Sequence, residues 1–212
     1  MFFRNSLPTL EGSFRFFHAA AGANAVDIYS NGFIIEKNVA FGTMTNYDKV
    51  PVGNYNIQVY KAGTYDNPLL EESIEVAPNE ILTLNIVLLE STLSIFKLKD
   101  GSTSEDTSSL SFLRFMNLSP NAPLLSLSLP NDITLFNSVE YLETTGYYTL
   151  SPGIYNFVVS SPSAEFLAKF INDITLSPGT FHTIYIIGLV DNQKPQLGSY
   201  IAIDGDIKTT TT

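Results

Sequence analysis

The chain says the same thing twice. Residues 50–59 read VPVGNYNIQV and residues 150–159 read LSPGIYNFVV, and the correspondence runs far beyond this phrase. FRFFHAAAGANAVDIY at 14–29 aligns with LRFMNLSPNAPLLSLS at 113–128, pairing Arg15 with Arg114, Phe16 with Phe115, Ala23 with Ala122 and Ile28 with Leu127. From Val39 the partners are Val139, then Phe41 with Tyr141, Tyr47 with Tyr147, Tyr55 with Tyr155, Val59 with Val159 and Pro78 with Pro178. One residue is gained in the second copy between the second and third strands, where a turn absorbs it. Matches in register over so long a stretch indicate duplication. Each copy then has to bury a core of its own, which fits two domains of common size.

The apolar residues of each copy alternate instead of recurring at helical spacing, and Tyr and Phe, both strand formers, supply every aromatic in a chain without Trp. In the first copy strands are expected near 14–19, 25–30, 33–39, 43–50, 55–60, 69–76 and 81–88, with 92–98 as an eighth. Asn31-Gly32 is a two-residue hairpin signal. Short strands with turns at this spacing predict an all-β fold of two tandem immunoglobulin-like antiparallel β-sandwiches. The boundaries follow: an N-terminal arm at 1–12, copy 1 at 13–99, a linker at 100–110, copy 2 at 111–205 and a Thr-rich tail at 206–212.

The twin phrase reads as a structural corner. Pro152 presets φ, Gly153 is expected to supply the positive φ of a type II turn, and Gly53 keeps the same place in copy 1. A Tyr two residues after the Gly resembles a tyrosine corner, its ring in the core and its hydroxyl bonded to backbone a few residues upstream. Tyr55, Ile57 and Val59 then point inward, as do Tyr155, Phe157 and Val159. Ile57 and Phe157 stand where antibody domains place a cysteine, so packing replaces the disulfide.

Charge narrows the partners. Asp, Glu, Lys and Arg make up 15% of the chain, against about 25% in a typical soluble domain. Such surfaces carry little repulsion and pair readily at open sheet edges. The net charge of −10 argues against nucleic acid and anionic membranes, both of which need a Lys/Arg field. The lack of Cys removes disulfides, thiolate zinc sites and Cys nucleophiles. The start, MFFRNSLPTLEG, does not resemble a signal peptide, and no apolar run is long enough to insert in a membrane.

His18 and Asp27 are the best binding candidates, since a His and an Asp on neighbouring strands can hold a metal or orient a ligand. The favoured alternative is that they bond the backbone of the intervening loop. His182 is expected to face solvent. DGSTSED at 100–106 has oxygen donors at alternate positions but lacks the Gly and Glu of a calcium loop, so a hydrated linker is favoured. DGD at 204–206 reads as a turn, and Asn117-Leu118-Ser119 is formally a glycosylation acceptor. No nucleophile elbow, phosphate-cradling loop or zinc-ligand pair is recognisable, so no catalytic, metal or cofactor residue is assigned and an enzyme is not expected.

HAAAGANAVDIYSNG at 18–32, followed by VAFGTMTNYDKVPVGNYNIQV at 39–59, resembles the bacterial domain of unknown function 4397. Members read like H-A-S-P-D-A-P-A-V-D-V-Y, then A-F-G and P-A-G-x-Y. Copy 1 has Ala21 and Asn24 where the family tends to have Pro; copy 2 keeps Pro120 and Pro123 but has Asn117 for the His and Ser126 for the Asp. The resemblance covers nearly the whole chain as two copies, and implies a β-sandwich of surface and envelope proteins with no catalytic residues. The expected role is a non-catalytic, self-assembling subunit of a bacterial cell or spore surface, with Phe2 and Phe3 in an arm that adds a strand to a neighbour. Its partners would be other copies of itself, or other surface proteins or carbohydrate. The alternatives are a carbohydrate-binding module using Tyr29, Tyr47, Tyr60 and Tyr65, and an enzyme with a site built from separate loops. A cytoplasmic location is the alternative to the surface.

Overall fold

The computed structural model describes residues 10–102, 109–191 and 193–205, and every regular element among them is a strand. The first half contains β1 (Glu11–His18), β2 (Val26–Ser30), β3 (Phe33–Val39), β4 (Asp48–Pro51), β5 (Gly53–Lys61), β6 (Leu70–Val76), β7 (Ile81–Leu89) and β8 (Thr92–Lys99). The second contains β9 (Ser111–Asn117), β10 (Leu125–Ser128), β11 (Thr134–Val139), β12 (Tyr148–Leu150), β13 (Gly153–Ser161), β14 (Ala164–Leu176), β15 (Phe181–Ile187) and β16 (Gly198–Asp204).

The same strand order is built twice. Sheets β3-β2-β5-β6 and β4-β1-β7-β8 enclose the first core, and β11-β10-β13-β14 and β12-β9-β15-β16 enclose the second. The sheets are not purely antiparallel: β1 runs parallel to β7, and β9 to β15. The strand expected over 43–50 is shortened to β4, preceded by an isolated bridge from Phe17 to Met44. A turn bond from Thr43 N–H to the Ala40 carbonyl precedes it, and the Thr43 and Thr45 backbones bond to β1 only singly, at His18 N–H (3.0 Å) and the Phe16 carbonyl (2.8 Å). Asn31 and Gly32 have φ of 50° and 82°, the geometry a two-residue hairpin requires.

The cores follow from strand alternation. Phe14, Phe16, Ile28, Ile57, Val59, Leu82, Leu84 and Ile86 fill the first sandwich; Leu113, Phe115, Leu127, Phe157, Val159, Ile184 and Ile186 fill the second. The strands β1, β7, β9 and β15 are buried on both faces, which is why they read as near-continuous apolar runs. Their second faces meet each other. Phe17, Ala19, Val87 and Leu98 of the first half pack against Met116, Leu118, Tyr185, Ile187 and Ala202 of the second. The molecule is therefore four sheets deep, with three buried layers between them.

Candidate functional site: a buried charge cluster between the sandwiches

Within the middle layer lie two arginines, two aspartates, two threonines and two tyrosines, one of each from either copy. Arg15 of β1 points away from its own core because Phe14 and Phe16 point into it. Its Nε donates to Thr83 Oγ1 at 2.8 Å, one terminal nitrogen to the Ile203 carbonyl at 3.0 Å, and the other to Asp204 Oδ1 at 2.6 Å. Arg114 of β9 repeats this in mirror order, donating to Thr183 Oγ1 at 3.0 Å, the Lys99 carbonyl at 2.8 Å and Asp100 Oδ1 at 2.7 Å. Each arginine thus pairs with the aspartate of the other copy.

The remaining lone pairs are also spoken for. Asp100 Oδ2 accepts from Thr83 and, at 2.7 Å, from the Tyr47 hydroxyl. Asp204 Oδ2 accepts from Thr183, from Arg114 at 3.3 Å and from the Tyr147 hydroxyl at 2.8 Å. The two tyrosine oxygens accept in turn across the layer, Tyr147 from Gly101 N–H at 3.0 Å and Tyr47 from Gly205 N–H at 3.2 Å. Each guanidinium also lies over the ring of its own copy's Tyr, at 4.3 and 4.5 Å. The relation is a local two-fold: exchanging the copies maps the cluster onto itself.

All four charged residues are at most 7% exposed, and their charges sum to zero. Burial opposes the arginine charges, yet the neighbouring phenols and carboxylates outweigh it and both are held above their ordinary value. Burial and then the carboxylates push Tyr47 far up, so it stays a neutral donor; for Tyr147 burial and Asp204 do the same. Burial, then the Asp100 charge, raises Asp204, with Arg114 and Arg15 offsetting in part. The chemistry is that of a clamp: the side chains that would bind a ligand bind each other. The Tyr185 hydroxyl, buried nearby, has no partner among the described residues.

The sequence candidates fall elsewhere. His18 and Asp27 are not brought together: β1 and β2 belong to different sheets, not neighbouring strands. His18 Nε2 contacts the Asn24 carbonyl at 3.0 Å, and burial lowers its pKa. Asp27 accepts from the N–H groups of Asn38 and Gly63, both at 2.8 Å. His182 is 2% exposed and not solvent-facing, because β15 is covered on both sides. Asn117 is fully buried, its amide donating to the Val139 carbonyl, so it offers no acceptor surface. Tyr55 and Tyr155 do reach upstream backbone, at Pro51 O (2.6 Å) and Ser151 O (2.8 Å), but these bonds lie at the surface. The expected type II turn is not formed. Gly53 has φ of 150°, and Gly153 is outside the left-handed region. Both begin strands, and the tyrosine bond closes the corner instead. Phe2, Phe3 and most of the DGSTSED stretch lie outside the described residues.

Asp100 and Asp204, read as linker and turn, are the residues sequence reasoning missed. The signal was there: Asp100-Gly101 and Asp204-Gly205 repeat, as do Thr83 and Thr183. The offset widens before the second Asp-Gly, which hid the pairing.

Two surface features complete the inventory. Tyr29, Tyr60 and Tyr65 gather on the outer sheet of copy 1, with ring centroids 4.7–5.2 Å apart. Tyr47 is not among them, being part of the clamp. On the β3/β4 side of that sandwich, a groove of about 570 Å³ is lined by Phe14, Phe33, Ile35, Asp48, Val50 and Tyr55, among others.

A family model described as Domain of unknown function (DUF4397) matches residues 12–128. No curated protein matches. Among solved structures, the Bacillus anthracis TIE protein is similar over 87% of this chain and 34% of that one, at 14% identity and a TM-score of 0.27. The chain thus spans about a third of that protein's length.

Proposed function

The chain belongs to the family of Domain of unknown function (DUF4397), and on that premise we propose that it is a non-catalytic, self-assembling structural subunit of a bacterial cell or spore surface. The observation that carries this reading is the clamp. The densest polar constellation among the described residues is spent on fixing one sandwich against the other, as a load-transmitting block requires. The low charge of the remaining surface supports it, since few like charges oppose association of copies. An arm at 1–12 that joins a neighbour's sheet edge would give head-to-tail growth. Electron microscopy of the purified protein tests this. Filaments or sheets that vanish on deleting residues 1–9, which leaves β1 (Glu11–His18) whole, support it; a strictly monomeric protein under all conditions sinks it.

The tyrosine group favours a second reading, a carbohydrate-binding module. Tyr65 is 55% exposed and packs against Tyr29 and Tyr60. Asn56 and Glu71, bonded to each other at 2.8 Å, lie on the same sheet. Binding to immobilised polysaccharide that survives Tyr65→Ala unchanged would remove it.

A further inference from the structure

We propose that the groove between β3 and β4 seats the N-terminal arm of a second copy of this chain, with Phe2 and Phe3 in its apolar part and Arg4 between Glu36 and Asp48. This rests on the assembly reading and adds the acceptor that reading lacks.

A sandwich has two long sides where the edges of its sheets face each other. In copy 1 the β6/β8 side is stitched. Glu72 Oε2 accepts from Ile95 N–H at 3.3 Å, and Lys97 Nζ donates to the Glu75 carbonyl at 2.7 Å and to Glu80 at 3.4 Å. On the β3/β4 side no side-chain bond joins the two edges among the described residues.

The duplicated copy shows what this place holds when it is closed. Phe136 of β11 and Tyr148 of β12 meet edge to face at 6.1 Å, and Phe136 also stacks at 6.3 Å on Phe115 in the core. The strand registers identify their counterparts. Ile28 pairs with Glu36 as Leu127 pairs with Phe136, and Phe14 pairs with Asp48 as Leu113 pairs with Tyr148. Copy 1 therefore carries two carboxylates where copy 2 carries two rings. Because they pair with core residues, both carboxylates face the inside of the sandwich. Neither has a hydrogen bond or ion pair among the described residues, and partial burial pushes both up from the ordinary carboxylate value. Phe33 beside them is 77% exposed.

An occupant must bring apolar bulk, a cation and a free strand edge. Residues 1–10, MFFRNSLPTL, hold two phenylalanines and a single charged side chain, Arg4. The rings replace what Phe136 and Tyr148 supply in copy 2, and the guanidinium supplies the charge that Glu36 and Asp48 lack. The exit point suits donation: the Leu10 carbonyl accepts from Val52 N–H at 3.0 Å, so the arm departs at the end of β4, and Leu10 is 58% exposed. The contact joins different surfaces of the two molecules and can propagate.

The absence of Cys makes introduced thiols unambiguous reporters. A full chain carrying Asn5→Cys is mixed with one carrying Lys37→Cys, on β3 beside Glu36, in a glutathione redox buffer. The control partner carries Asn137→Cys, the equivalent place on the closed side. The expected result is a disulfide-linked species of twice the 23.3 kDa chain mass. It should form at least about tenfold faster with Lys37→Cys than with Asn137→Cys, as local docking raises effective concentration. Arg4→Glu or the pair Glu36→Phe with Asp48→Tyr should abolish that preference, and Arg4→Lys should retain it. Equal rates at the two sites overturn the groove as acceptor; filaments that persist in microscopy then leave the assembly reading standing on another contact. Cross-links that form only within a chain bearing both thiols overturn the second copy as the donor. A chain that stays monomeric and shows no preference overturns both.

Discussion

Tyr55 and Tyr155 carry the twin phrase that organises the sequence, and their position sets what they are worth. The rings pack at the edge of each core, but the hydroxyl bonds lie in solvent. An exposed bond exchanges freely with water, so Tyr55→Phe or Tyr155→Phe should cost only about 0.5–1 kcal/mol in urea titration. A loss of several kcal/mol would return the hydroxyl to a buried role. Glu36 is the opposite case, a charged group whose place costs stability. Burial and Asp48 raise its carboxyl above the unfolded value. A raised carboxyl penalises the folded state at neutral pH; the penalty fades as pH falls from the folded value and is gone only below the unfolded one. Glu36→Gln should therefore raise the melting temperature at pH 7 and have little effect near pH 4. An equal effect at both pH values would show that charge is not the cause.

At the scale of the element, the strands were legible because alternation and turn chemistry are local signals. The eight strands expected in copy 1 correspond to β1–β8, with the one expected over 43–50 shortened. Less legible was anything set by the meeting of two elements distant in sequence. His182 lies in an alternating strand, and nothing local says that a second sheet covers its outer face. Asp100 follows β8 and Asp204 ends β16, each beside a glycine, the usual grammar of a turn, and only the duplicated arginines opposite give them another meaning. The glycines divide the same way. Gly205 has φ of 71° and a methyl there would run into the Gly101 backbone, whereas a methyl on Gly153 meets only the Tyr155 ring at 3.5 Å. Gly205→Ala should cost about 1–3 kcal/mol through strain and crowding, while Gly153→Ala should be close to neutral in chemical denaturation. The reverse order would restore the left-handed turn at 153.

For the whole molecule, two kinds of force share the middle layer. Phe17, Met116, Leu118 and Ile187 supply apolar burial, on the order of 1.5–3 kcal/mol for each large side chain. The four buried charges roughly break even, because desolvation consumes what their attraction returns. Removing one of them does not break even. Arg114→Ala takes from Asp100 its 2.7 Å ion pair, leaves it only Arg15 at 3.8 Å, and puts one unbalanced negative charge in a dry interior; it should cost about 3–5 kcal/mol. Calorimetry should show one transition for the native chain and two for this variant, since the sandwiches lose their reason to unfold together. A single, slightly shifted transition would mean that the apolar contacts alone hold the halves. The local two-fold has one more consequence. Arg15 reaches Asp204 as Arg114 reaches Asp100, which is the reciprocity of an isologous homodimer, here written into one covalent chain. Two subunits bound this way come apart on dilution; two halves of a single polypeptide do not. Joined, they no longer need to stay identical, and one half can hold a pair of acids where the other holds a pair of rings.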